Sequence, residues 1–167
     1  MSRTVIFFLT LVSTTLLGFG VVKYAARSSN GLLEVISGGP FQTRHLVESN
    51  TIWSLVNQHM TIEMQTMSPS TSRTMCVVIV DNRVFVVTSY MKSRVTRLSK
   101  KWPQGIKDDT RALTRIDGKI FPMQLSRIQK DDAINAVLLP FNQKYNRRTK
   151  AADLEKGASW LFELRPA

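Results

Sequence analysis

The chain opens on an apolar block and then changes rhythm. Thr4 to Val22 (TVIFFLTLVSTTLLGFGVV) is an uncharged run of 19 residues between Arg3 and Lys23, without the polar face of a helix lying on a soluble core. As a helix it reaches about 28 Å, close to the ~30 Å hydrocarbon thickness of a bilayer. The block therefore predicts a membrane anchor. A cleaved signal peptide is the alternative, but it carries a shorter apolar region and a small-x-small cleavage site. Here Lys23-Tyr24-Ala25-Ala26-Arg27 follows, with charge where cleavage would fall. Cations stand on both sides of the block, so the positive-inside rule is nearly silent. The short N-terminal tail ahead of a large C-terminal domain favours export of that domain.

Residues 25–50 read as a stalk. Ser28-Ser29-Asn30-Gly31 and Gly38-Gly39-Pro40 break regular elements, with a short strand possible at Leu32-Leu33-Glu34-Val35-Ile36 between them. From Ile52 the pattern turns to period two, and Thr61–Met67 (TIEMQTM) alternates as a half-buried strand does. Thr74–Val80 and Val84–Ser89 flank Asp81-Asn82-Arg83, a hairpin signal, because Asp and Asn tolerate the positive φ of a tight turn. The first of these strands is apolar on both faces, which suits a central position. Thr110–Ile116 and Lys119–Leu125 flank Asp117-Gly118, the strongest short hairpin signal, with Pro122 implying an edge or a bulge.

Two helices interrupt the strands. Ser93–Trp102 (SRVTRLSKKW) places Val95, Leu98 and Trp102 at helical spacing, with Ser93 as N-cap and Pro103 as stop. Asp131 to about Tyr145 carries Asp131 and Asp132 in its first turn and a buried stripe of Ile134, Val137, Leu138 and Phe141, with Pro140 kinking or ending it. Trp160–Leu164 closes the chain as a strand. The sum is a mainly β, α+β chain: six or so antiparallel strands with two helices, in the manner of a small barrel. Its division is an anchor over 1–24, a stalk over 25–50 and the barrel domain over 51–167.

Charge narrows the partners. The net charge is +11, and the apolar block with its N-terminal tail adds only Arg3 to the excess. Such a field attracts anionic lipid headgroups or phosphate-bearing ligands. Nucleic acid is set aside, because no basic block with interleaved aromatics appears. The single cysteine, Cys76, excludes an intramolecular disulfide and reads as a buried thiol in MCVVIV. His45 and His59 stand fourteen apart, outside metal-ligand spacing. Met60, Met64, Met67, Met75 and Met91 read as gap-filling contacts, and Trp53 and Trp160 as core. Glu63 reads as a lone, solvent-facing strand acid. No Ser-His-Asp order or carboxylate pair points to a hydrolase.

Three stretches, spread over residues 52–164, resemble a known family. Val86-Val87-Thr88-Ser89 ends a hairpin, and Ser93-Arg94 then opens a basic helix that ends Lys100-Lys101-Trp102-Pro103. Arg111–Phe121 forms the next hairpin, and Gln143-Lys144-Tyr145 ends the second helix. This order is similar to that of the pyridoxamine-phosphate-oxidase-like split β-barrels, a flavin- and deazaflavin-binding fold. The resemblance implies FMN or a deazaflavin as cofactor, hydride transfer through it, and a homodimer. It implies flavin contacts from Arg73 and from Thr88 and Ser89 at the strand end, with Ser93 and Arg94 holding the phosphate. Trp102 is a candidate to stack on the flavin, although packing the helix onto the barrel is its plainer role. A helix N-terminus bearing a hydroxyl and an arginine is a ready anion site.

Two positions depart from the family pattern: Val95 stands where a lysine is expected, and Trp102 where an Asn precedes the proline. The missing lysine removes one phosphate contact. The competing expectation is a non-catalytic, membrane-anchored binding or assembly module that has lost the cofactor. The basic helix itself reads equally as a solvated face, or one resting on lipid headgroups. The expected location is that of a single-pass protein of a bacterial inner membrane, its domain on the extracytoplasmic side.

Overall fold

A computed structural model describes residues 3–28, 37–42, 46–47, 52–89, 91–92, 102–130 and 133–167. Helix α1 (Arg3–Ser28) contains the apolar block. Its window Thr4–Val21 has a mean hydropathy of 2.0 and buries nothing against protein, so it is long and apolar enough to span a membrane. The hydroxyls of Thr10, Thr14 and Thr15 donate to the carbonyls of Ile6, Thr10 and Leu11, one turn earlier. That satisfies their polar groups within the helix itself, as hydrocarbon demands.

Six antiparallel strands form a closed barrel in the order β1-β2-β3-β6-β5-β4, with β4 returning to β1. They are β1 (Thr61–Met67), β2 (Ser70–Val80), β3 (Arg83–Thr88), β4 (Arg111–Ile116), β5 (Lys119–Ile128) and β6 (Trp160–Pro166). The two long strands let the sheet close. β2 pairs with β1 through Ser70–Cys76 and hands over to β3 from Val77. β5 pairs with β4 up to Gln124 and with β6 from Met123 to Ile128. Both short turns are as expected: Asp81 and Asn82 have φ of 49° and 59°, Asp117 and Gly118 of 49° and 74°.

Alternation along the strands produces two cores. The inner one draws on every strand, including Met64, Met75, Val77, Val86, Phe121, Met123, Phe162 and Leu164. The outer one covers β2, β3 and β6 through Val78, Phe85, Val87 and Leu161. Helix α4 (Ala133–Tyr145) lays Ile134, Val137, Leu138 and Phe141 on that outer face, and α5 (Ala151–Glu155) adds Leu154. Each such apolar side chain contributes about 1.5–3 kcal/mol when fully buried.

Several local expectations are corrected. Residues Ile52–Gln58 form helix α2 rather than the start of a period-two pattern. Of the two outcomes expected of Pro140, an early end does not occur: it lies inside α4, which continues to Tyr145 with its buried stripe on the barrel. Pro122 has no sheet edge, since the barrel is closed. Its carbonyl accepts from Ala167 N at 3.2 Å, so its nitrogen also faces the place where β6 ends and no ladder donor is lost. Glu63 is not a lone acid: its carboxylate receives Arg115 Nε at 2.5 Å, with Arg115 stacked 4.4 Å from the Phe41 ring. Cys76 is half-buried rather than sealed.

Residues 93–101 of the expected basic helix, the strand at 32–36, Asp131 and Asp132, and the side chain of Trp53 lie outside the described residues. Within them, Pro103 does not end a helix but sits inside a short one, α3 (Trp102–Gly105). At the pre-barrel segment, Gly38 bridges to Ser72, Ser72 Oγ donates to Gly39 O at 2.6 Å, and Phe41 N donates to Gln65 Oε1 at 2.6 Å. Val47 N likewise donates to Ile120 O at 2.8 Å.

Candidate functional site

β2 and β6 enter the barrel, and β3 and β5 leave it, at one end. The expected site residues within the described set gather at this mouth. Arg73 stands three residues into β2 and is 1% exposed. One of its terminal nitrogens reaches Thr71 O at 3.3 Å, Thr66 Oγ1 at 3.5 Å and Thr71 Oγ1. Its guanidinium lies 5.1 Å from the ring of Trp102, itself 3% exposed and 5.2 Å from Phe162. Trp102 is thus part of the inner core cluster, packed beside Phe162. Thr88 ends β3 with no exposure, its hydroxyl facing Met91 Sδ at 3.9 Å. Ser93 and Arg94 lie outside the described residues.

Ser89 is the one placed where a ligand can reach it. It lines a polar cleft of about 550 Å³ with Asn146, Arg147, Arg148, Thr149 and Ser159, and Ser159 Oγ donates to Ser89 Oγ at 3.3 Å. Asn146 takes a left-handed φ of 48° to end α4. Asn142 then clamps the loop, donating to Thr149 O at 2.8 Å and accepting Thr149 N at 2.9 Å. The other wall is the turn from α5 to β6, where Ala158 N and Ser159 N both donate to Asp153 O. Among the described residues neither exposed arginine of the cleft has an ion-pair partner. The acid of the cleft, Asp153, accepts Lys150 N at 2.8 Å. Two free guanidinium groups beside two hydroxyls make an anion site of phosphate character.

The cleft arginines did not figure in the sequence reading. Their signal was present as Asn146-Arg147-Arg148-Thr149-Lys150 straight after the helix-ending Lys-Tyr, but only the fold carries that run to the end of β3. Among the described residues no cluster of three or more metal-ligating side chains occurs.

No protein-family model matches the chain, and no curated protein matches it in sequence. Solved structures do match in shape. A conserved hypothetical protein from Mycobacterium tuberculosis aligns with a TM-score of 0.50 at 15% identity, over 75% of this chain and 85% of that one. A Listeria innocua protein assigned as a pyridoxamine 5'-phosphate oxidase aligns at 0.48 and 7% identity, over 70% and 91%. HutZ, the heme storage protein from Vibrio cholerae, aligns at 0.45 and 13% identity, over 75% and 92%. The shape shared with the Mycobacterium tuberculosis protein is that of a closed six-stranded antiparallel barrel, the fold class that the order of elements implied.

Proposed function

We propose that the chain is a membrane-tethered split-barrel protein that takes a phosphate-bearing flavin, FMN or a deazaflavin, at the barrel mouth. The observation that carries this reading is the cleft at the end of β3, where Ser89 faces Arg147 and Arg148. Its donor set fits a phosphate. The two guanidinium groups would hold the charge, with Ser89 and Ser159 supplying neutral donors, and the sequence adds Ser93 and Arg94 a few residues beyond Ser89. When bound, the flavin supplies hydride transfer. The protein's part is to bind and orient it.

A second reading has its own observation. Arg73, Thr88 and Trp102 offer a ligand almost no surface, which supports a non-catalytic, tethered binding module that has kept the barrel and lost the cofactor. The same proposal divides the chain into an anchor (1–24), a connector (25–50) and a barrel domain (51–167), places the domain on the extracytoplasmic side, and makes the protein a homodimer.

Titration of the detergent-solubilised full chain with FMN, followed by flavin fluorescence, decides between the two. Saturable quenching, weakened about tenfold or more by Arg148→Ala and by Arg94→Ala in folded protein, supports the flavoprotein; one lost charge-assisted contact is worth roughly that much. A folded chain that leaves FMN fluorescence unchanged supports the module.

A further inference from the structure

Four arginines on the barrel strands come with carboxylates, while Arg73 donates to threonine oxygens. Arg83 and Arg165 share Glu163, Arg111 holds Asp109 and Arg115 holds Glu63. Arg127 does not. It stands next to last in β5, opposite Phe162, with its guanidinium carbon 3.6 Å from the centroid of the Trp160 ring. Among the described residues it has no ion pair, and its Nε is shut from solvent without an acceptor. Burial draws its pKa down. A half-buried cation kept without a counter-ion is costly, and stacking on an aromatic face offsets only part of that cost.

Arg127 lies between two cavities. One, of about 730 Å³ beneath α4 and α5, also holds Lys130 and Glu155, whose charges offset each other. The other, of about 280 Å³, lies at the barrel mouth under α3. Ile106, Leu125 and Phe162 form its apolar walls, Trp160 flanks it, and Lys107 is the second cation; among the described residues no acid lines it.

We propose that this smaller cavity binds a compact organic carboxylate with an apolar or aromatic body. The planar guanidinium fork matches a carboxylate, Lys107 adds a second positive charge, and the apolar walls take the body of the molecule. Thr110 and Ser126 also line the cavity and can donate to either anion, but a free phosphate has no apolar body to cover Ile106, Leu125 and Phe162. The site is separate from the Arg147–Arg148 cleft and does not depend on flavin binding.

The test uses the full chain in nanodiscs of phosphatidylcholine, with 4-fluorobenzoate as probe and 4-fluorobenzamide as its neutral counterpart of the same shape, both followed by fluorine NMR. The expected result is saturable binding of the benzoate, at least tenfold weaker binding of the amide, and at least tenfold loss of benzoate binding in Arg127→Met. That variant keeps the stem on Trp160 and should unfold at no lower temperature than the parent chain. Lys107→Gln should weaken the benzoate severalfold, and Arg148→Ala should leave it unchanged, which separates this site from the flavin cleft. The proposal is overturned if the parent chain does not bind the benzoate saturably, binds benzoate and amide alike, or retains benzoate affinity in folded Arg127→Met.

Discussion

Glu163 shows how a single side chain can be excluded from water and still charged. It points outward from β6, buried, and receives Arg83 Nε at 2.9 Å and Nη2 at 3.0 Å, with Arg165 at 2.7 Å on its second oxygen. The Arg83 hydrogen bonds, aided by Arg165 and opposed by burial, hold its pKa down to about 2 from an ordinary 4.5. The folded-state pKa is the lower one, so the carboxylate adds stability above about pH 4.5, and this is lost as pH falls toward 2. Urea unfolding measured across that interval should show the parent chain weakening while Glu163→Gln changes much less. Such a pairing could not be read from the sequence, since Arg83 and Glu163 lie eighty residues apart and meet only because β3 pairs with β6. Glu63 misled for the same reason: its partner Arg115 comes from β4, across the closing seam of the barrel.

Between elements, the docking of α4 rests on its last two residues as well as its apolar stripe. The Tyr145 hydroxyl accepts Val77 N at 2.8 Å, and its proton faces the carbonyls of Val77, at 2.7 Å, and Met60. Burial pushes its pKa up to about 12, so it remains a neutral donor through the physiological range. Lys144 Nζ adds contacts to His59 O at 2.7 Å and Val77 O at 3.1 Å. Tyr145→Phe should cost about 1–3 kcal/mol, the range for a buried polar group that loses its partner, as checked by urea denaturation. This end fastening, with the buried stripe, also explains why Pro140 fails to end the helix. Strands and tight turns were legible because their signals are local: alternation in TIEMQTM, and positive φ at Asp-Asn and Asp-Gly. Helices α2 and α5, seven and five residues long, escaped notice because pieces so short have no stable periodicity of their own and owe their form to the barrel.

At the scale of the molecule, an apolar helix and a cationic barrel domain are joined in one chain. Removing residues 1–28 should convert a protein that stays in membranes through alkaline carbonate washing into one recovered in the wash. Retention of the shortened chain would mean that the barrel domain itself holds the bilayer. The long apolar helix was readable from sequence alone, because a run of 19 uncharged, mostly apolar residues depends on composition and length and hardly on neighbours. So were the two hairpins and the buried stripe of α4, since each follows from local dihedral preference or periodicity. Closure of the barrel, the sealing of Arg73 and Trp102 inside its mouth, the meeting of Ser89 with Arg147 and Arg148, and the stranding of Arg127 on Trp160 were decided by tertiary structure. Each joins residues distant along the chain, and their distances and burial are set by strand register and helix docking, which no local pattern encodes.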